Sequence, residues 1–383
     1  MKEQLLMKIS VTTGECVNVS GGGRNISLVP FGGEADSDLF TGAVLGEGVD
    51  RQMTEGSVTQ LSARYMLEGR DLSGGRCRIF IENNGSSDQL STAPQITTDG
   101  RLIGWLNNAS LRGSIKPDEG GVCVSIFEQL YGFERIEHCF TAADGRRIYG
   151  ELFLPDNGES RHPLLIAAHG FNSGTWQLRE QIEQIVSRGV ACYAFDFCGG
   201  GNGTKSDGSP AEMSIRTEQR DLRDVFEHIT ALPEVDPERV YLYGESQGGF
   251  VTALTAAELG ERVKGLFLVY PAFCIPHEWL GRIEEFNETE LIEFMGVKLS
   301  RKYAEEVPDY DIYAQAAKFK GHVTIFHGDC DRIVDLSYSE KLAEVCPDAE
   351  LFICPEQGHQ LNSRFKRAAA GMISDRIRFL DKI

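Results

Sequence analysis

The chain has 383 residues, of which 41% are hydrophobic and 25% are charged, a composition typical of soluble globular proteins with about two domains. A formal net charge of −19 disfavours contact with nucleic-acid phosphates and anionic lipid headgroups, so neither nucleic acid nor a membrane is an expected partner. The opening residues lack the apolar core of a secretory signal, and no apolar run approaches the roughly 20 residues of a membrane helix. We therefore expect a cytoplasmic protein.

Ten cysteines are present, and none of them forms a CxxC pair. Zinc sites usually carry such pairs, so the spacing gives no indication of bound zinc. In a cytoplasmic protein we expect these residues to be reduced thiols that pack as small apolar side chains. We expect neither a metal nor an organic cofactor.

The first 129 residues contain short β-type runs separated by Gly, Asn, Asp and Ser turns, without a convincing helical period. Examples are RNISLVPF, SVTQLSARYML, RCRIFIE and VCVSIFE. This pattern predicts that residues 1–129 form an all-β domain, either a barrel or a sandwich, and it leaves the role of that domain open.

From residue 130 to residue 383, short apolar runs alternate with stretches of helical period, which is typical of βαβ units and a mostly parallel sheet. The first two strands, EHCFTA and RIYGELFLP, are predicted to form an antiparallel hairpin at the Asp144-Gly145 turn. Six further strands complete an eight-stranded sheet: LLIAAHG, ACYAFDF, VYLYGES, GLFLVY, VTIFHG and AELFICP. Between residues 274 and 320 the alternation stops, and we predict a helix-like insertion that covers one end of the sheet.

Ser246 lies between two glycines in YLYGESQGGF, directly after an apolar strand and before a helical stretch. A nucleophilic serine needs such a strand, sharp turn and helix, because its hydroxyl must stand exposed at the strand tip. Glycines at 244 and 248 suit a turn in which a side chain would strike the neighbouring strand or helix. The context therefore predicts that Ser246 is a nucleophile.

A serine hydroxyl needs a base to remove its proton and a carboxylate to orient that base. Of the eight histidines, only His359 follows both Ser246 and the next strand tip that carries acidic residues. We therefore predict that His359 is the base. The tip VTIFHGDCDRIVD offers three candidate acids, Asp329, Asp331 and Asp335, and the order of residues leaves the choice open.

An oxyanion hole requires N–H donors directed at the charge that develops on the tetrahedral intermediate. The backbone N–H of Gln247 and that of Phe171, in the HGFN loop, are the predicted donors. His169 is expected to have a structural role in that loop. In the insertion, Trp279 is a candidate for substrate binding, with lid packing as the alternative, whereas Trp176 is expected in the core.

Several motifs together carry a family resemblance: LLIAAHGF, YAFDFCGGG, KSDG, VYLYGESQGG, the HGDCD tip and the final GH. Residues 130–383 resemble the α/β-hydrolase superfamily, and more narrowly bacterial esterases of the cinnamoyl and feruloyl type. The resemblance implies Asp331 as the acid, with Asp329 and Asp335 as alternatives, and it implies a small lid between strand six and the acid.

Residues 8–127 resemble a small β-barrel family without an established function, on the stretches GGGRNISLVPFGGEADSDLFTGAVLGEGVD and LSARYMLEGRD. The resemblance implies a barrel-like fold and no particular chemistry. Asp50, Arg64 and Tyr65 are candidates for the mouth of such a barrel, with salt bridging and packing as the alternative.

The sequence thus predicts a serine hydrolase that cleaves small carboxylic esters, including hydroxycinnamate-like esters, through an acyl-enzyme. A peptidase or thioesterase that uses the same triad is one alternative, and a catalytically silent ligand-binding module is another. The β domain is expected to form a homodimer interface, to narrow the active-site entrance or to bind a ligand itself.

Overall fold

The computed structural model describes residues 1–89, 91–287 and 289–382. The chain divides into two compact units, Met1–Tyr131 and Gly132–Ile383, and the change falls two residues after the boundary that the sequence texture predicts. All ten cysteines are free thiols. No helix in the described part of the chain is long and apolar enough to cross a membrane.

The first unit is built from antiparallel strands and one 3-10 turn, Gly104–Asn108. Its described strands are β1 Lys2–Thr13, β2 Val17–Gly21, β3 Arg24–Asp36, β4 Phe40–Val44, β5 Gly48–Glu55, β6 Val58–Asp71, β7 Arg76–Ser86, β8 Ala93–Thr98, β9 Leu111–Asp118 and β10 Gly121–Leu130. The four runs that the sequence singles out lie in β3, β6, β7 and β10. The expectation of an all-β domain holds for this unit.

These strands form one large sheet in the order β8-β7-β6-β4-β3-β1-β10-β9, while β2 pairs with β3 and β5 pairs with both β3 and β6. Buried and less buried residues alternate along β10, as expected for a strand with one face towards a core. An isolated bridge between Thr92 and Gly113 joins the two ends of the strand order.

The second unit alternates strands and helices. Its described strands are β11 Gly132–Glu137, β12 Phe140–Thr141, β13 Arg147–Ile148, β14 Gly150–Asp156, β15 His162–Ala168, β16 Ala191–Phe195, β17 Val235–Glu245, β18 Gly265–Val269, β19 Leu291–Phe294, β20 Val297–Ser300, β21 His322–Gly328 and β22 Ala349–Cys354. Its described helices are α1 Thr175–Val186, α2 Ile215–Ile229, α3 Ser246–Leu259, α4 Ile275–Trp279, α5 Arg301–Glu305, α6 Ile312–Ala316, α7 Leu336–Val345 and α8 Ser363–Leu380. Three 3-10 turns, Pro210–Glu212, Gly260–Arg262 and Arg282–Asn287, complete it.

The main sheet of this unit has the order β11-β14-β16-β15-β17-β18-β21-β22. β11, β14 and β16 pair antiparallel at one edge, and the remaining neighbours pair in parallel. Every residue of β15, β16, β18 and β21 is buried, which explains why these strands read as continuous apolar runs. Helix α1 packs on α8, and α2 packs on α3.

The edge of this sheet differs from the sequence prediction. Its first strand is Gly132–Glu137, which precedes the predicted EHCFTA run and pairs with β14 in the register Gly132 to Asp156. The Asp144-Gly145 turn instead closes the separate two-stranded pair of β12 and β13. Periodicity alone misses this arrangement because both candidate strands are short and partly apolar.

The insertion and one tryptophan also differ from prediction. The insertion is not entirely helical, because β19 and β20 form a hairpin whose turn residues Met295 and Gly296 both have positive φ. Trp176 is 56% exposed, so its predicted core position is wrong. Leu178 and Ile182 are the buried residues of α1, and a residue two positions before Leu178 points to the other side of a helix.

Candidate active site

The turn at Ser246 connects β17 directly to α3. Ser246 has a φ of +52°, a strained conformation for a residue with a side chain. A Cβ at Gly244 would lie 2.5 Å from the Gly248 carbonyl oxygen, and one at Gly248 would lie 2.3 Å from that of His169. Both positions therefore require glycine, because the strand, the helix and the loop after β15 meet there at backbone contact distance.

Three polar side chains from three strand ends form a hydrogen-bonded chain. Ser246 follows β17, Asp331 follows β21 and His359 follows β22. The Ser246 Oγ lies 2.9 Å from His359 Nε2, and His359 Nδ1 lies 2.8 Å from Asp331 Oδ2. The carboxyl ends of parallel strands meet at one edge of the sheet, so residues more than 100 positions apart come together there.

The Asp331 carboxylate is fully buried. Burial by itself would raise the pKa of this carboxyl, but hydrogen bonds from His327, His359 and the backbone N–H groups of Val334 and Ile333 outweigh it and hold the pKa well below its ordinary value. The two amides lie 2.8 Å and 3.0 Å from Asp331 Oδ1. Asp331 is therefore an ionised hydrogen-bond acceptor that keeps the His359 ring in one orientation.

The other two candidate acids have different surroundings. Asp329 accepts a hydrogen bond from the Glu356 backbone N–H at 2.7 Å and so supports the loop after β22. Asp335 caps the N-terminus of α7 and accepts from the Ser337 backbone N–H at 2.9 Å. Both have structural contacts in the described residues, and Asp331 is the carboxylate that meets His359.

Phe171 and Gln247, the residues whose N–H groups are predicted to form the oxyanion hole, line one cavity together with Ser246 and His359. His169 is buried, with its Nδ1 at 2.7 Å from the Gly170 carbonyl oxygen and its Nε2 accepting from the Phe197 backbone N–H. Burial lowers the pKa of this histidine, which stays neutral and holds the loop after β15 in place.

The cavity has a volume of about 230 Å³, and one wall is aromatic. The Trp279 ring lies edge-on to Phe294 and Tyr303, with centroid distances of 4.9 Å and 4.6 Å. Phe171 is edge-on to Phe294 at 5.5 Å, so the oxyanion-loop residue and the insertion share this wall. Trp279 is only 1% exposed, and it both packs the lid and lines the cavity.

Two buried networks behind the site were missed from sequence. The Gln247 side chain donates from Nε2 to Glu218 at 2.9 Å and accepts from the Tyr303 hydroxyl, which ties the elbow to α2 and to the lid. Glu245 accepts from the hydroxyls of Tyr243 at 2.6 Å and Tyr270 at 3.1 Å. The local signal was present in GES, since a charged residue at the end of an apolar strand requires buried partners.

Glu245→Gln is expected to remove a pH-dependent loss of stability. Burial raises the pKa of Glu245 above its ordinary value, so native protein holds this proton where unfolded protein releases it. The stabilisation is complete below about pH 4.3, the ordinary glutamate value, and falls as pH rises to the native pKa, by up to about 1.4 kcal/mol per pH unit. Denaturant unfolding from pH 4 to pH 8 measures this difference.

The exposed Glu340→Gln provides the matched control for the loss of one negative charge. The free energy of unfolding of Glu245→Gln should rise relative to that of Glu340→Gln as pH increases through this window. Parallel curves for the two variants would contradict a raised pKa at Glu245.

The sheet order, with a strained serine between β17 and α3, defines the second unit as an α/β hydrolase. Residues 129–368, well over half of the chain, match the family model described as acetyl xylan esterase (AXE1). The chain therefore belongs to that esterase family of α/β hydrolases. The match begins at residue 129, so nearly all of the all-β unit lies outside it.

Solved and curated proteins agree on the class. The structure titled ferulic acid bound to Est1E, from Butyrivibrio proteoclasticus, has 23% sequence identity and a TM-score of 0.56, covering 64% of this chain and 98% of that chain. The Aspergillus aculeatus thiohydrolase aneE is 32% identical over 140 residues, which cover 34% of this chain and 40% of the thiohydrolase. The Arabidopsis thaliana caffeoylshikimate esterase is 29% identical over 156 residues, covering 38% of this chain and 44% of that esterase.

Proposed function

We propose that the protein hydrolyses small carboxylic esters through an acyl-enzyme formed on Ser246. The observation that carries the proposal is the hydrogen-bonded chain from Ser246 through His359 to Asp331, at 2.9 Å and 2.8 Å. Membership of an esterase family supports the reaction class. No described group of three or more His, Cys, Asp or Glu side chains has the arrangement of a metal site.

In the first half-reaction, Ser246 Oγ attacks the ester carbonyl carbon while His359 Nε2 takes the hydroxyl proton. The backbone N–H groups of Phe171 and Gln247 donate to the oxyanion of the tetrahedral intermediate. As the carbon–oxygen bond to the alcohol breaks, His359 returns its proton to the leaving oxygen. The ionised Asp331 stabilises the imidazolium that exists between these two transfers.

In the second half-reaction, water enters in place of the alcohol. His359 removes a proton from that water as its oxygen attacks the acyl carbon, and the same two N–H groups bind the second oxyanion. When the intermediate collapses, the proton passes from His359 to Ser246 Oγ. The carboxylic acid leaves, and the free serine is restored.

We propose that the acyl group is small and preferably aromatic. The cavity volume of about 230 Å³ accommodates one substituted ring, and Trp279, Phe294 and Phe171 present edges and faces to it. Edge-to-face contacts with such a ring contribute about 0.5–1.5 kcal/mol beyond the burial of apolar area. A hydroxycinnamate ester such as methyl ferulate combines these features.

A matched panel of p-nitrophenyl acetate, methyl ferulate, a feruloyl thioester and feruloyl anilide tests the proposal. We expect both esters to be hydrolysed, with a higher kcat/KM for methyl ferulate than for methyl acetate. The thioester tests the second candidate, a thioesterase, which the similarity to a thiohydrolase favours. Turnover of the anilide with neither ester cleaved would overturn the esterase proposal in favour of a peptidase.

Trp279→Phe is expected to lower kcat/KM for methyl ferulate about two- to tenfold relative to p-nitrophenyl acetate, because the variant loses ring contacts that only the aromatic acyl group makes. Trp176→Phe is the matched control, since Trp176 is exposed and lies outside the cavity lining. An unchanged ratio between the two substrates would show that Trp279 only packs the lid.

We also propose that the sheet of the first unit closes into a barrel. The strand order begins with β8 and ends with β9, and the Thr92–Gly113 bridge joins the chain next to β8 with β9 through two backbone hydrogen bonds of 2.9 Å and 2.8 Å. Closure of a sheet on itself removes the exposed edges that would otherwise promote aggregation.

A further inference from the structure

A cavity of about 170 Å³ lies inside the first unit and is lined by that unit alone. Its lining comes from the same face of several strands, because the residues recur in steps of two along β1, β3, β5, β6 and β10. The apolar members are Val11, Val29, Phe31, Leu61, Ala63, Ile115, Val122 and Val124. Ile115 is 41% exposed and marks the open end, whereas Phe31 and Tyr65 are buried.

Four polar atoms on this apolar wall are buried and have no hydrogen-bond partner among the described residues. They are Asp50 Oδ1, Tyr65 OH, Asn83 Oδ1 and Thr92 Oγ1. Buried polar atoms are almost always satisfied, and leaving one unsatisfied is costly. Four on one cavity wall therefore indicate that something bound there supplies the missing hydrogen bonds.

The arrangement of these atoms is fixed by packing. A Cβ at Gly113 would collide with Thr92 Oγ1 and come within 3.4 Å of Asn83 Oδ1, so these two oxygens lie close together. The Tyr65 ring is held edge-on against Phe31, with 5.3 Å between centroids. Asp50 Oδ2 accepts from the Gln52 side chain at 2.8 Å, which leaves Oδ1 as the unpartnered carboxylate oxygen.

The chemistry of the four atoms selects a donor with positive charge. Asp50 Oδ1 and Asn83 Oδ1 only accept hydrogen bonds, and the hydroxyls of Tyr65 and Thr92 accept as well as donate. Asp50 is the one charged side chain in the described lining, and no lysine, arginine or histidine is part of it. Arg64, the nearest arginine along β6, is exposed and pairs with Glu82 at 2.8 Å.

We propose that this cavity is a binding site for a small primary amine that carries a single apolar ring. An ammonium group has three N–H donors, enough for Asp50 and for two of the other oxygens, while the ring occupies the apolar part of the cavity. A dry cavity of about 150 Å³ accommodates benzene, so about 170 Å³ corresponds to one ring with a short substituent. The aromatic faces of Phe31 and Tyr65 also attract a cation.

Calorimetric titration of the full-length protein at pH 7 with benzylamine, benzyl alcohol and benzoate tests the proposal, because the three probes differ mainly in charge and in hydrogen-bond donors. We expect benzylamine to bind at least about tenfold more tightly than benzyl alcohol, and benzoate not to bind. Equal affinity for the amine and the alcohol, or no binding of the amine at about 1 mM, would overturn it.

Two substitutions locate the site. Asp50→Asn keeps the shape of the side chain and is expected to weaken benzylamine binding about 10- to 100-fold while benzyl alcohol binding changes little. Ala63→Leu fills the cavity and should abolish binding, whereas Ala43→Leu, at an exposed position of the same sheet, should not. If Ala63→Leu fails to fold, Asp50→Asn still decides, because unchanged benzylamine affinity in that variant would place the amine elsewhere.

Discussion

Replacing Ser246 with alanine is expected to lower kcat for p-nitrophenyl acetate and methyl ferulate by about 10⁴-fold or more. The change removes the oxygen that forms the acyl-enzyme, and His359 is left without its 2.9 Å partner. The residual rate would come from substrate binding and the oxyanion donors, which alone retain some catalysis over water. Parallel assays of wild-type and variant protein measure the effect, and wild-type protein should also incorporate a fluorophosphonate at Ser246.

Ser160→Ala is the control for this experiment, because Ser160 is exposed in the loop before β15. It should retain wild-type turnover and phosphonate labelling. Folding is checked by near-ultraviolet circular dichroism, since alanine at a position with φ of +52° stays as strained as serine. Folded Ser246→Ala protein that hydrolyses both esters at the wild-type rate would contradict the proposed nucleophile.

Asp331→Asn is expected to lower kcat by about 10⁴-fold with little change in KM. An asparagine amide facing His359 Nδ1 either stabilises the wrong tautomer of the ring or leaves its N–H without a carboxylate partner. The ground-state cavity is unchanged, since Asp331 lies behind His359 and outside the cavity lining. Steady-state kinetics that separate kcat from KM measure this effect.

Asp329→Asn and Asp335→Asn make the same chemical change on the same strand end. Both carboxylates accept backbone hydrogen bonds that an amide oxygen also accepts, at the Glu356 and Ser337 N–H groups. Asparagine is also as good a helix N-cap as aspartate, so α7 should keep its start. Both variants should have near wild-type kcat, and a large loss in either of them with none in Asp331→Asn would reassign the acid.

Burial of Asp331 also has a consequence for stability at acid pH. Its native pKa is held below the ordinary value, so its contribution to stability is present above about pH 3.9 and is lost as pH falls through the native pKa. Asp331 and Glu245 therefore act in opposite directions below pH 5. The site combines one carboxyl that favours ionisation with one that favours protonation.

The local sequence was sufficient to predict much of the second unit. A strand followed at once by GESQGG predicts the sharp turn, because few residues other than glycine permit such close backbone approach, and the turn forms at Ser246 with φ of +52°. The continuous apolar runs predicted buried strands because parallel strands are covered on both faces. Chain order then left His359 as the one histidine able to follow both the serine and the acidic strand tip.

Other features depend on contacts between distant residues. Spacing alone left three aspartates after β21 as candidates, and the folded loops decide among them by directing Asp331 at His359 and the other two at backbone amides. The hairpin of β19 and β20 was hidden because ten residues of mixed polarity fit a short helix as well as two short strands.

What the sequence determined by itself is therefore the chemistry and the order of the elements, since glycine conformations, strand hydrophobicity and residue types act over a few neighbouring positions. Only the tertiary structure decided which carboxylate meets His359, how aromatic residues from the loop after β15 and from the insertion form one wall, and that Asp50, Tyr65, Asn83 and Thr92 surround one cavity. The reason is physical: these groups come from separate strands and loops, and their distances are set by the curvature and register of a whole sheet.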